Sequence, residues 1–303
     1  MINSKGIRVS FILFILTLIL IGLTTVSATD CDMVVSDSNL NDNVSDMVVS
    51  DSNLNDNVSD ILDMGSSHII HITEENYSDY FDSNGNLNNS LVLVNDTIDL
   101  SGNFNNKSFI FNMPLKITSI NKDAYLYNCQ VAFINVTSGL GDSEVSNLNM
   151  DSTVPQKILI LVENSENVSV LNNILTSSAY HSYPVALETS NYILVLNNTI
   201  KTMVSNREEL NSGNVHLNEE VSDNSSWQHS GITLRGSHHN LIEGNDITVE
   251  DSYGIYFCYP LSNYNNVLNN TIRCSINHPS FWAYGIYITG SNNSISKNTI
   301  SGM

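Results

Sequence analysis

Carboxylates placed together, with or without a basic partner, are the side chains most able to do chemistry in a chain of 303 residues that carries 31 acidic and 11 basic groups. Glycoside hydrolysis needs two or three of them at one place, and lyase chemistry pairs an acidic cation-binding set with an Arg or Lys base. If the runs beginning near Val185, Gly231, Gly254 and Gly285 are stacked strands, one outward column reads Ala186, Thr233, Tyr256, Tyr287 and the next reads Glu188, Arg235, Cys258, Thr289. That is one acid and one Arg in neighbouring repeats, for which a surface ion pair is the cheaper reading. His238-His239 and Glu243-Gly244-Asn245-Asp246 are the other dense polar clusters, and both fall where turn residues are expected. His68 and His71 sit on an Ile-rich stretch with no further ligands nearby, which reads as a strand and not a metal site. Cys31, Cys129, Cys258 and Cys274 have no C-x-x-C spacing, which argues against zinc or iron–sulfur. Cys258 and Cys274 share one repeat and are candidates to pair. The expectation is therefore a non-catalytic chain with no metal site and no cofactor.

Recognition is the stronger reading of the remaining chemistry. Aromatic residues gather where the repeat lengthens, in the segments 177–184, 203–230, 249–253 and 274–284. The ligand-binding candidates there are Tyr180, His181, Tyr183, Trp227, His229, Tyr253, Phe281, Trp282 and Tyr284, with Glu208, Glu209, Glu219, Glu220 and Asp223 beside them. Rings supply apolar area and carboxylates accept hydrogen bonds from hydroxyls, a combination suited to sugar faces or a protein partner. The competing reading is that these rings merely cover one edge of the fold.

What must position such residues is an 11-residue frame, Ser262 to Ile272, with ungapped copies beginning at Ser165, Ser190, Ser237 and Gly290. Its sixth position holds Val170, Val195, Ile242, Val267 and Ile295, and its eleventh holds Leu175, Ile200, Ile247, Ile272 and Ile300. A weaker copy contributes Val145 and Met150, so the basic period is 25 residues. Three short apolar runs per repeat, separated by two to four polar residues, are too short for helices. A fixed period of this size predicts an all-β fold, a parallel β-helix of about 22–28-residue coils. Inward residues such as Ile232, Leu234, Ile255, Phe257, Ile286 and Ile288 would then form continuous columns. The ninth position is Asn in every copy: Asn173, Asn198, Asn245, Asn270 and Asn298. This pattern predicts a hydrogen-bonded Asn ladder at a corner whose Asn residues adopt the left-handed conformation.

Four segments follow in chain order. Residues 1–28 read as a signal peptide: Lys5 and Arg8, an apolar run from Phe11 to Ile21, and the exit Val26-Ser27-Ala28. Residues 29–63 are an acidic low-complexity spacer in which Asp32–Ser45 recurs residue for residue as Asp46–Ser59. Residues 64–144 read as an irregular N-terminal cap and first coils, with short strands at Leu91–Val94, Thr97–Leu100, Phe109–Phe111, Leu115–Thr118, Tyr125–Tyr127 and Val131–Ile134. Residues 145–303 are the regular coils, which reach Met303 without a visible cap and so leave an end able to stack on another chain. No second apolar run is long enough to span a bilayer, so the mature chain is expected outside the cell without a transmembrane segment. The net charge of -20 argues against nucleic-acid binding.

The stretch Asn95–Phe104, followed by Asn106–Phe109, Pro114–Ser119 and then the Asn-Asn-Thr-Ile coils, resembles the adhesin-like surface proteins of methanogenic archaea. The resemblance covers most of the chain after residue 90, and the coils alone are shared with the wider pectate-lyase-like superfold. It implies an extracellular, right-handed parallel β-helix that attaches to glycans or to surface proteins of other cells. The alternatives are a β-helix polysaccharide lyase or hydrolase, with Arg235 as the residue to test, and a structural component of the cell envelope.

Overall fold

The computed structural model describes residues 67–137, 142–179, 182–203, 229–277 and 283–302. The expected signal peptide and spacer lie outside these residues, as do Cys31, Tyr180, His181, Trp227, Phe281, Trp282 and the acidic residues between Glu208 and Asp223.

The described chain is a parallel β-helix. Three sheets run along it, each built by pairing a strand with its equivalent one coil later. In chain order within a coil they are called here sheets I, II and III. Sheet I includes Ile158–Glu163, Tyr183–Glu188, Ser230–Arg235, Tyr253–Cys258 and Tyr284–Tyr287. Sheet II includes Val168–Leu171, Leu194–Leu196, Leu241–Glu243, Asn266–Leu268 and Ser294–Ser296, and sheet III includes Ile174–Ser177, Thr199–Thr202, Asp246–Glu250, Thr271–Ser275 and Thr299–Gly302. The ladders are parallel and in frame: Val170 pairs with Val195, Val195 with Ile242, and Ile242 with Val267. Because side chains alternate along a strand, this register sends the same frame positions inward in every coil. Val185, Ile232 and Ile255 of sheet I, Val195, Ile242 and Val267 of sheet II, and Ile247 and Ile272 of sheet III are all fully buried. Ile286 and Ile288 are only partly buried and pack against the same core.

The N-terminal part departs from the frame. The strand Ile69–Ile72 pairs with Thr97–Leu100, and a single helical turn, Tyr77–Tyr80, follows it. Tyr77 stacks on Phe81 at 4.9 Å, and both meet Phe109 edge-on. With Phe104, Phe111 and Phe133 these rings fill the first coils, where the later coils use mostly aliphatic residues together with Phe257. The strand expected at Leu91–Val94 is a turn. Leu91 N donates to Asn88 O, and Leu93 N donates to the carboxylate of buried Asp96, so these amides are unavailable for a sheet. His71 Nδ1 lies 2.9 Å from Asp99 Oδ2, and His68 Nδ1 lies 3.3 Å from Asp96 Oδ1.

Polar residues hold the corners. Asn198 shows the pattern: its Oδ1 accepts from Asn173 N at 2.9 Å and from Asn173 Nδ2 at 3.0 Å, while its own Nδ2 donates to Val170 O. Asn245, Asn270 and Asn298 repeat it. The left-handed residue is not this ninth-position Asn but its predecessor, at Asn172, Asn197, Gly244, Asn269 and Lys297. Turning the chain one residue earlier leaves the ninth side chain directed inward, where it is 1% exposed at Asn173, Asn198, Asn245 and Asn270. Two further ladders run along the first and fourth positions. Ser190 Oγ accepts from Ser165 N and Ser237 Oγ from Ser190 N, each at 3.1 Å. Asn265 Oδ1 accepts from Asn240 N, and Asn293 Oδ1 from Asn265 N.

Candidate functional site

Sheet I begins earlier than the glycines suggest, and this decides where its aromatic residues go. A Cβ on Gly254 would lie 2.5 Å from both Gly285 O and Ile272 Cγ2, and one on Gly231 would lie 2.9 Å from Ile247 Cγ2. Only glycine lets the strand pass this close to the core, and pairing continues one residue upstream of it. Tyr183, Tyr253 and Tyr284 are therefore the first residues of sheet I strands and not loop residues as expected, with Ser230 paired to Tyr253 and Tyr253 to Tyr284.

The result is a cluster of four tyrosines on the outer face. Tyr256 pairs with Tyr287 in the outward column. Tyr253 lies beside them, its ring 4.6 Å from Tyr256, 5.1 Å from Tyr284 in a stacked geometry and 5.7 Å from Tyr287 edge-on. Tyr256 and Tyr287 are 5.4 Å apart. Tyr284 and Tyr287 are 37% and 40% exposed, so the cluster presents apolar ring area to solvent. Burial, and then the neighbouring Tyr284 and Tyr287 phenols, push the Tyr253 hydroxyl above its usual range.

The adjoining outward column carries charge. Its register runs Glu163, Glu188, Arg235, Cys258. Arg235 Nη1 donates to Glu188 Oε1 at 2.6 Å, and both side chains are 26% exposed. Glu163 stands one coil before Glu188, so two glutamates are carried on neighbouring rungs whose backbones lie about 4.8 Å apart. Glu163 was absent from the expected site because the residues before Val185 do not share the glycine that marks the later strands. Cys258 completes the column, where burial raises its thiol to about 11 against the opposing pull of Arg235. It does not pair with Cys274: both are free, since Cys258 lies on sheet I whereas Cys274 lies on sheet III and packs into the core. Cys129 is also free and buried.

The other expected ligand-binding residues are dispersed or lie outside the described residues. Tyr183 and His229 are each 5% exposed, and His229 Nδ1 lies 3.2 Å from Ser182 N and 3.1 Å from Ser182 O. These two residues are part of the packing over the earlier coils. Tyr253 and Tyr284 do meet, together with Tyr256 and Tyr287, whose place in an outward column was legible but whose role as ring surface was not. Among the described residues no group of three or more His, Cys, Asp or Glu side chains is arranged to hold a metal ion.

Residues 156–303 match the family model for the right handed beta helix region, which gives the coils their hand. No curated protein matches the chain in sequence. Solved structures similar to it include a pectate lyase from Bacillus sp. N165 in complex with trigalacturonate, 14% identical with a TM-score of 0.40, covering 79% of this chain and 83% of that one. A mannuronan C-5 epimerase A-module from Azotobacter vinelandii is 13% identical with a TM-score of 0.36, over 68% of this chain and 56% of that one. An alginate lyase from Paenibacillus sp. is 10% identical with a TM-score of 0.33, over 78% of this chain and 98% of that one. These likenesses are of fold. The expectation that the chain is not an enzyme is corrected here: the similar solved structures are a pectate lyase, a mannuronan C-5 epimerase and an alginate lyase.

Proposed function

We propose that this chain is an exported, surface-associated β-helix protein that binds a polysaccharide across the outer face of sheet I. The observation that carries the reading is the tyrosine cluster, in which Tyr284 and Tyr287 offer exposed rings above the more buried Tyr253 and Tyr256. Rings of this kind cover the apolar face of a sugar while their hydroxyls meet its own. The platform repeats from one coil to the next, and a repeated surface suits a repeating polymer. The chain's net charge of -20 opposes a polyanion, and Arg235 is neutralised by Glu188, so the ligand expected is a chain of neutral sugars. Export follows from the N-terminal Lys5, Arg8 and Phe11–Ile21 pattern, and attachment to glycans of other cells or surfaces from the resemblance to adhesin-like proteins.

A second reading has its own observation. Glu163 and Glu188 stand in neighbouring rungs beside the tyrosines, with Arg235 on Glu188. Two carboxylates at such a spacing suit acid–base or nucleophilic work on a glycosidic bond, and the guanidinium would stabilise developing negative charge.

One experiment addresses both. The purified chain is incubated with immobilised neutral polysaccharides, and retention and new reducing ends or unsaturated products are measured together. Retention lost in the Tyr284→Ser/Tyr287→Ser variant supports the binding reading. Product that disappears in Glu163→Gln or Glu188→Gln supports catalysis. Retention unchanged in the folded tyrosine variant would sink the proposed face.

A further inference from the structure

A second aromatic column runs along the turn between sheets I and II, at the third position of the frame. Tyr192, His239 and Tyr264 occupy it in three successive coils, with ring centroids 5.4 Å and 5.0 Å apart and interplanar angles of 14° and 5°. Each has a left-handed backbone, with φ of 58°, 58° and 59°. The same position holds Asn167 and Asn292 in the coils on either side, also left-handed. Asn and His enter this conformation more easily than most side chains, whereas tyrosine resists it. The turn therefore does not require tyrosine, and Tyr192 and Tyr264 stand there against local preference. Tyr192 and Tyr264 are 53% and 52% exposed, and their faces turned away from His239 meet no further ring among the described residues.

A groove of about 430 Å³ lies alongside. Its second wall is the neighbouring frame position, where Asn191, His238 and Asn263 are linked from coil to coil. Asn191 Oδ1 accepts from His238 N at 3.1 Å, His238 Nδ1 accepts from Asn263 N at 3.0 Å, and Asn263 Oδ1 accepts from Ser291 N at 2.7 Å. These bonds use the acceptor of each side chain. They leave the Asn191 amide, the His238 Nε2–H and the Asn263 amide outside these ladder bonds, as donors on three residues that line the groove, one per coil on rungs spaced about 4.8 Å apart. Glu166 at one end is the single carboxylate lining it, and no Lys or Arg does.

We propose that this corner groove binds a linear chain of neutral sugars running parallel to the coil axis, at a site separate from the sheet I tyrosines. Evenly spaced uncharged donors match hydroxyl and ring oxygens repeated along a polymer, and the ring edges and the free faces of Tyr192 and Tyr264 cover its apolar CH surface. With no cationic side chain in the lining, phosphate and uronate chains are disfavoured. The inference does not depend on the sheet I reading.

The test uses the full chain with isotope-labelled histidine, titrated with hexasaccharides of glucose, mannose, galactose and N-acetylglucosamine, and with hexagalacturonate as the anionic control. At least one neutral hexasaccharide is expected to shift the His238 and His239 ring signals saturably. Tyr192→Asn/Tyr264→Asn, which installs the residue the turn already carries at Asn167 and Asn292, is expected to weaken that binding at least tenfold. Asn191→Asp, which keeps the acceptor for His238 N but removes the donor, is expected to weaken it as well. Tyr284→Ser/Tyr287→Ser is expected to leave the His238 and His239 shifts unchanged. Absence of a shift with every neutral hexasaccharide, a shift confined to hexagalacturonate, or undiminished affinity in the folded Tyr192→Asn/Tyr264→Asn variant would each overturn the assignment while leaving the sheet I face untouched.

Discussion

Replacing Asn245 by Ala removes the centre of the longest polar ladder, and its cost follows from counting the groups left behind. Asn245 Nδ2 donates to Val195 O at 2.8 Å, to Asn270 Oδ1 at 2.9 Å and more weakly to Glu243 O at 3.2 Å. Its Oδ1 accepts from Asn198 N at 2.9 Å and from Asn198 Nδ2 at 3.0 Å. The residue is 1% exposed, so alanine leaves Val195 O and Asn198 N without water to replace what they lose. A net hydrogen bond contributes about 1 kcal/mol and an orphaned buried group costs about 1–3 kcal/mol, so the expected loss is about 3–5 kcal/mol. That is a large part of the stability of a typical domain, about 5–15 kcal/mol. Urea unfolding followed by circular dichroism measures it. The position-dependence is equally diagnostic: Asn298→Ala, in a partly exposed coil, is expected to cost less than half as much. A loss below about 1 kcal/mol at Asn245, or equal losses at both sites, would refute the view that the ladder stabilises the stack through satisfied buried groups.

Four other outcomes follow from the structure. Gly254→Ala places a Cβ 2.5 Å from Gly285 O and Ile272 Cγ2, and is expected to lower stability by about 1–3 kcal/mol in urea titrations. The thiols of Cys129 and Cys258 are each raised to about 11, chiefly by burial, so alkylation of the native protein at pH 8 followed by peptide mass spectrometry should find both unmodified until urea is added. Because a raised thiol favours folding only while it stays protonated, the stability these two groups contribute is complete below about pH 9 and lost as pH rises towards 11; the unfolding midpoint should fall across that window. Glu188→Gln, which breaks a partly exposed ion pair, is expected to change stability by less than about 1 kcal/mol, so any larger effect on retention or turnover reports on the site itself.

The sixth and eleventh frame positions were legible from sequence because burial in the stacked coils demands an apolar residue there; Val195, Ile242 and Val267 meet that demand, whereas Ile295 and Ile300 keep the pattern while 52% and 51% exposed. The ninth-position Asn column was equally visible as a pattern, but adjacent Asn residues at the eighth and ninth positions hid which one carries the left-handed turn. The fourth-position ladder was obscured because Val168 and Ile193 stand where Asn240, Asn265 and Asn293 later stand. Function was harder to read for a related reason. Tyr192, His239 and Tyr264 share a frame position with Asn167 and Asn292, so a column of stacked rings looked like an unrestricted turn. Tyr253 and Tyr284 were placed in loops because glycine normally marks a strand's edge, whereas Gly254 and Gly285 here mark a close approach within the strand. Outward columns such as Glu163, Glu188 and Arg235 appear only once the register is known, since the length of the intervening chain differs from coil to coil.

The central claim is that the outer face of sheet I holds a polysaccharide. It is tested most directly by titrating a panel of neutral oligosaccharides into the full chain while following tyrosine fluorescence, in parallel with the Tyr284→Ser/Tyr287→Ser variant. A saturable change with at least one neutral oligosaccharide is expected, with at least a tenfold weaker affinity in the variant and its circular dichroism unchanged. No saturable change with any of them, or equal affinity in the folded variant, would contradict it.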